Sequence, residues 1–135
     1  MSRSTISSIH SLRLIPISKL QRYAKIGSKV IMLLIGRPEN ADAVPGTIKV
    51  STTADNSIYK KKITYEMAEV TSDKAQNLEK LKKIRLIATY IDESGNDRVC
   101  GSPDYPLSLD YLDEGGVYTI TLSGEDTCID AFLTA

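Results

Sequence analysis

The chain contains no Trp, one Phe, one His and two Cys. Each scarcity removes a class of chemistry. With His10 as the lone histidine, a Ser-His-Asp triad or a histidine-built zinc site has almost nothing to work with, and its Ser-rich surroundings favour a solvated ring. Cys100 and Cys128 stand 28 positions apart and lack the paired C-x-x-C spacing of a zinc ribbon. Each fits instead as a small buried apolar side chain, and reduced thiols are expected because no export signal is evident. The shortage of Trp and Phe also argues against a glycoside-hydrolase cleft, where aromatics normally line the sugar path.

Net charge is missing as well, with 17 Lys plus Arg against 17 Asp plus Glu. A free-standing nucleic-acid binder of this size usually carries a clear basic excess, and a disordered regulator has fewer apolar residues than the 41% found here. Long apolar runs are absent too. The longest is Val30–Ile35, six residues, against the roughly 20 that cross a bilayer as a helix. Residues Met1 to Ser8 hold Arg3 but no apolar stretch of the kind that follows it in a secretory leader, so synthesis and retention in the cytoplasm are expected. A loose N-terminus over 1–8 and a single β-rich domain over 9–135 account for the 135 residues.

What is present is strand periodicity. Leu12 and Leu14 alternate with Ser11 and Arg13 ahead of Pro16, which suits an edge strand or one ending at a bulge. Leu20 to Ile26 reads equally as a short helical turn or a turn before Gly27. Lys29 to Ile35 is apolar on both faces, as in a strand covered on both sides or one whose second face is buried by a partner. Pro38 and Pro45 bracket an exposed loop, and a short strand follows over Thr47–Ser51. From Ile58 to Val70, Tyr59, Ile63, Tyr65 and Met67 oppose Lys60, Lys62, Thr64 and Glu66, the period of a half-buried strand. At that length it should bend, wrap a barrel, or project as an arm.

Thr71-Ser72-Asp73 supplies an N-cap, Asp73 an acidic first turn, and Lys80, Lys82 and Lys83 a basic end, predicting one amphipathic helix over about 72–83. Further strands are expected over Ile84–Ile91, Arg98–Cys100, Leu107–Tyr111, Val117–Leu122 and Cys128–Leu133, with Ser123-Gly124-Glu125-Asp126 read as a turn. The fold class is therefore mainly β, an antiparallel sandwich or barrel of about eight strands with one short helix.

No motif carries recognisable chemistry, so a non-enzymatic protein without a cofactor is expected. Ile26-Gly27-Ser28-Lys29 lacks phosphate-loop spacing. Lys60-Lys61-Lys62 has its middle member on the opposite face and reads as a solvated strand end. Acidic residues gather in three turns, Asp92/Glu93/Asp97, Asp110/Asp113/Glu114 and Glu125/Asp126/Asp130, yet none matches a calcium loop, and solvation is the expected state. The seven tyrosines stand out beside one Phe. Tyrosine suits surfaces that become buried on assembly, and Tyr59, Tyr65, Tyr105 and Tyr111 are the candidate contacts.

The succession of strand, helix and strand from Lys62, with the Asp92-Glu93-Ser94-Gly95-Asn96 turn, the segment Val99-Cys100-Gly101-Ser102-Pro103-Asp104-Tyr105-Pro106-Leu107, and Val117 to Gly124, resembles small structural proteins of tailed phages and prophages of gut bacteria. That resemblance implies a virion component whose subunits form rings, with Ile58–Val70 as the assembly arm. It implies homo-oligomers or other proteins of the same assembly as partners, while the charge balance and the short apolar runs already argue against a nucleic-acid or membrane partner. A β-sandwich module binding a small ligand, glycan or calcium is the alternative.

The neutral total hides a division, because 16 of the 17 basic residues precede Leu86 and 10 of the 17 acidic residues follow Arg85. Either the two segments interleave and their charges mix, or the charges segregate to opposite faces and favour stacking of like copies.

Overall fold

The computed structural model describes residues 9–134; the expected loose segment 1–8 lies outside them. Among the described residues, eleven strands and one α-helix make a mainly antiparallel β-structure of two sheets. In chain order the elements are β1 (His10–Pro16), β2 (Leu20–Ile26), β3 (Lys29–Leu34), β4 (Glu39–Asn40), β5 (Lys49–Asp55), β6 (Ile58–Met67), α1 (Ser72–Lys82), β7 (Leu86–Ile91), β8 (Asp97–Cys100), β9 (Ser108–Glu114), β10 (Val117–Asp126) and β11 (Ala131–Leu133). The larger sheet has the order β2-β3-β11-β8-β7-β1-β4 and the smaller the order β5-β6-β10-β9. The expected class, β with one short helix, is the class observed, with more strands than the sequence pattern resolved.

The extra strands have local causes. Leu20 to Ile26, ambiguous by pattern, pairs antiparallel with β3 because Gly27 at φ 62° turns the chain directly back. The loop between the two prolines contains β4, whose Asn40 and Glu39 pair with Arg13 and Leu14. The hairpin joining β5 to β6 turns at Asn56 and Ser57, both with positive φ as a two-residue primed turn requires, so β5 runs on to Asp55. The Ser123–Asp126 segment is no turn. It continues β10, pairing residue for residue with Lys62 to Tyr59.

Strand β6 is flanked by β5 from Ile58 to Thr64 and by β10 from Tyr59 to Met67. It therefore lies inside the smaller sheet and does not project from the fold as an arm. The main core lies between the sheets, where Ile63, Tyr65, Leu109, Ile120 and Leu122 meet Leu12, Leu14, Leu86 and Ala88. Each large side chain so buried contributes about 1.5–3 kcal/mol relative to exposure. Helix α1 covers one end through Leu78 and Leu81, with the Thr71 hydroxyl accepting from the Lys74 amide at 3.3 Å as N-cap.

The larger sheet curls into a half-barrel. Its β2–β3 end folds back so that Val30, Met32, Leu34 and Tyr23 pack on Ile15, Ile87 and Val99, forming a second core behind the first. Strand β7 is in consequence buried on both faces, Leu86, Ala88 and Tyr90 toward one core and Ile87 toward the other.

Gly124 sits in β10 where Leu107 crosses it. A Cβ there would stand 2.9 Å from Leu107 Cδ2 and 3.0 Å from the Pro106 carbonyl oxygen. Leu107 is buried and its neighbour is backbone, so neither retreats freely. Gly124→Ala is expected to destabilise the fold by about 1–3 kcal/mol, read as a lower urea midpoint at unchanged slope.

Candidate functional site

Lys61 lies on β6 in register with Tyr59, Ile63, Tyr65 and Met67, so its side chain enters the sandwich. It is 4% exposed, not solvated as its lysine-rich neighbourhood suggests. Strand β10 brings Asp126 to the same inner face, and the loop from β10 to β11 brings Asp130. Both are buried, which corrects the expectation of solvated acidic turns at these two positions. Lys61 Nζ stands 2.9 Å from Asp130 Oδ1 and 3.6 Å from Asp126 Oδ2. The shorter contact is an ion pair by distance without the angles of a hydrogen bond, and Asp130 Oδ1 has no hydrogen-bond partner.

The surrounding groups hold the two carboxyls in place. The Tyr90 hydroxyl donates to Asp130 Oδ2, and Arg98 Nη2 donates to the Asp130 carbonyl oxygen at 2.6 Å. The Thr127 and Cys128 amides donate to Asp126 Oδ1 at 2.6 and 3.3 Å, which leaves Oδ2 for Lys61. Burial, then the charge and hydrogen bond of Asp130, push the Tyr90 phenol far above its usual range, so it stays a proton donor. Burial likewise pushes the Cys100 thiol up, with Asp130 adding to it and Lys61 opposing. Cys100 is buried, Cys128 is exposed, and both are free thiols.

The four candidate tyrosines do not share one exposed surface. Tyr65 is 1% exposed in the core and is withdrawn as a surface contact. Tyr111 is engaged within the fold: it stacks on Tyr118 at 5.6 Å, donates its hydroxyl to Glu79 of α1, and lies under Lys82. That hydrogen bond is the main cause of its phenol being pushed up to about 12. Tyr59 is half-buried on β6, and Tyr105 is exposed in the turn between β8 and β9.

Two other features concern binding. A cavity of about 180 Å³ lies beside α1, lined by Tyr65, Met67, Leu78 and Leu81 with Glu39, Asp42, Asp73 and Lys74 among its polar residues. The Tyr65 hydroxyl is buried with no hydrogen-bond partner. Burial chiefly, with Asp42 and Glu39, pushes that phenol far up. On the outside of the larger sheet, Ile31, Leu33 and Ile35 follow one another on the solvent side of β3 and its end, with Ile26 on β2; they are 48%, 53%, 61% and 71% exposed. Phe132 continues the row on β11, opposite Lys29 and covered in part by the Arg98 guanidinium at 4.3 Å. Among the described residues no group of three or more His, Cys, Asp or Glu is placed to hold a metal ion.

Lys61 is the residue that sequence reasoning missed. The signal was its parity: a lysine on the apolar side of an alternating strand. The Asp126–Asp130 pairing had no such signal, because it depends on β10 running through a Ser-Gly segment.

Arg98 ties this cluster to the neighbouring hairpin through Asp92, at 3.2 Å. The Asp92 carboxyl also accepts from the Asn96 and Ser94 amides, both at 2.9 Å. The Asn96 amide foremost, with Arg98 and Ser94, holds it below its ordinary value of 3.8 against the opposing effect of burial. A depressed folded-state pKa means stability that is fully present above the ordinary value and lost as pH falls through the lower folded one. Wild type is therefore expected to exceed Asp92→Asn in stability at neutral pH, with the two denaturation curves converging in strong acid. No protein-family model matches the chain, and no curated protein or solved structure matches it either.

Proposed function

We propose that the chain is a non-enzymatic structural protein that assembles with copies of itself, as virion components of tailed phages do. The observation that carries this reading is the exposed apolar row Ile26, Ile31, Leu33 and Ile35 on the solvent side of the β2–β3 hairpin. Contiguous exposed apolar surface on a monomer marks an interaction site. The sequence pattern left open whether the second face of Lys29–Ile35 is covered within the fold or by a partner; among the described residues Ile31, Leu33 and Ile35 are exposed.

Charge placement points to a like copy as that partner. On the outer side of the smaller sheet, Lys49, Lys60 and Lys62 of β5 and β6 lie beside Glu125, Asp110 and Glu114 of β10 and β9, with Asp55 and Glu66 as the minority on the basic side. A face basic along one edge and acidic along the other complements itself when rotated by half a turn. In the larger sheet the basic-half strands flank the acidic-half strands instead, so the two charge halves are side by side in one sheet and interleaved in the other.

Light-scattering chromatography is expected to give multiples of the 14.8 kDa chain. Leu33→Glu is expected to return the particle to one chain with an unchanged circular dichroism spectrum, its melting temperature falling only by the part that assembly supplied and no longer depending on protein concentration. A wild-type protein that stays monomeric at high concentration would overturn the reading.

A second reading, a small-ligand module, is favoured by the cavity holding the unpartnered Tyr65 hydroxyl. Three carboxylates and one lysine among its polar residues select a small amine. A panel of alkyl and aryl amines should then raise the melting temperature of wild type by linkage, and Tyr65→Phe should lessen that rise; no shift with any amine removes this reading.

A further inference from the structure

The geometry at Lys61 points to a function beyond pairing charges. We propose that Lys61 and Asp130 condense to an amide, an internal isopeptide cross-link between the two sheets, with Asp126 relaying protons and Tyr90 steadying the oxygen that develops charge. The cross-link needs only the chain's own groups and forms whether or not the chain assembles.

Four observations converge. The amine and the carboxyl are in contact at 2.9 Å, and both side chains are at most 5% exposed, so water competes little at this position. Their contact lacks hydrogen-bond angles, so Asp130 Oδ1 is not locked into a saturated bridge. Asp126 Oδ2 stands 3.6 Å from the same nitrogen with its other oxygen already held by two backbone amides. The second oxygen of Asp130 receives a hydrogen bond from Tyr90, the position a donor must occupy to stabilise a tetrahedral oxyanion.

The step balances without any further reactant. Lys61 Nζ passes a proton to Asp126 Oδ2 and attacks Asp130 Cγ, forming the N–C bond. Negative charge gathers on Asp130 Oδ2, facing the Tyr90 hydroxyl. Asp126 delivers its proton to Asp130 Oδ1, and a second proton follows from Nζ by the same route as the C–O bond breaks. Oδ1 departs as water, and an ammonium and a carboxylate have become one neutral amide with no change of oxidation state. Fixed proximity supplies the effective concentration that makes such an intramolecular step feasible. Exchanging two buried charges for an amide and releasing water favours the product, since burial penalises the charged forms.

The bond would join β6 of the smaller sheet to the loop entering β11 of the larger one, closing residues 61–130, about half of the chain, into a covalent loop. A cross-link of that span restricts the unfolded ensemble as a disulfide does. Cys100 and Cys128, both free, supply no such link.

Intact mass spectrometry of the denatured full chain, taken from protein first shown folded by its circular dichroism, decides the matter. The expected mass falls short of the sequence by one water, allowing for removal of Met1. Trypsin should fail to cut after Lys61, and a branched peptide should join the Lys61 segment to the Asp130 segment. Asp126→Asn, which keeps the shape of the relay residue, and Lys61→Arg, which keeps the cation, should both return the full mass while remaining folded. Tyr90→Phe should form the link more slowly after refolding. A full mass with a linear Lys61 peptide in the wild type overturns the proposal. So does a water loss mapped to any other residue, such as a succinimide at Asp113.

Discussion

Burial of β7 on both faces is the constraint from which the architecture follows. Leu86 to Tyr90 presents apolar side chains in both directions, and a strand of this kind is stable only in the middle of a sheet with cover on either side. One cover is the smaller sheet with α1. The other is the chain's own β2–β3 hairpin, which must fold back over Ile87 and Val99 to provide it. The curl of the larger sheet is thus required by hydrophobic burial rather than added to it.

That curl has two consequences that bear on function. Turning Val30, Met32 and Leu34 inward obliges Ile31, Leu33 and Ile35 to face outward, because successive strand residues alternate between faces. The apolar outer row is therefore the geometric complement of the second core. The curl also draws β11 across to pair with β3 in parallel and β8 in antiparallel fashion, so that the preceding loop carries Asp130 into the space between the sheets. There it meets Lys61 from the opposite sheet, with Tyr90 and Arg98 supplied by β7 and β8. One fold decision places both the exposed apolar row and the ionic cluster.

The apolar face, the graded charges and the inter-sheet contact at Lys61 are mutually consistent in a structural protein. An assembling subunit needs an exposed contact surface and an interior that resists being pulled apart. The chain lacks disulfides, and its small size limits what burial alone can supply. A charged trio within the core costs stability unless it is closely matched. Its presence beside Tyr90 and Cys100, in an otherwise apolar interior, is the kind of local inconsistency that marks a functional site in a well-packed domain.

Much of the fold was legible in the residue pattern. Alternation identified β6, β9 and the first part of β10, and the capping and charge signals placed α1 within one residue of its end at Lys82. What escaped were elements defined by partners. Strand β2 has no clear period until β3 lies beside it, and Ser123–Asp126 looks like a turn until β6 extends its ladder through it. The same limit applies to the site: parity along β6 puts Lys61 on the apolar face, whereas the two carboxylates it meets lie more than sixty positions further on. By itself the sequence determined the class of fold, the helix, the apolar character of both faces of Lys29–Ile35 and the poverty of catalytic groups, since composition and period are local properties. Only the tertiary structure decided which apolar face stays in solvent and which carboxylates a buried lysine meets, because those depend on how two sheets close over one another.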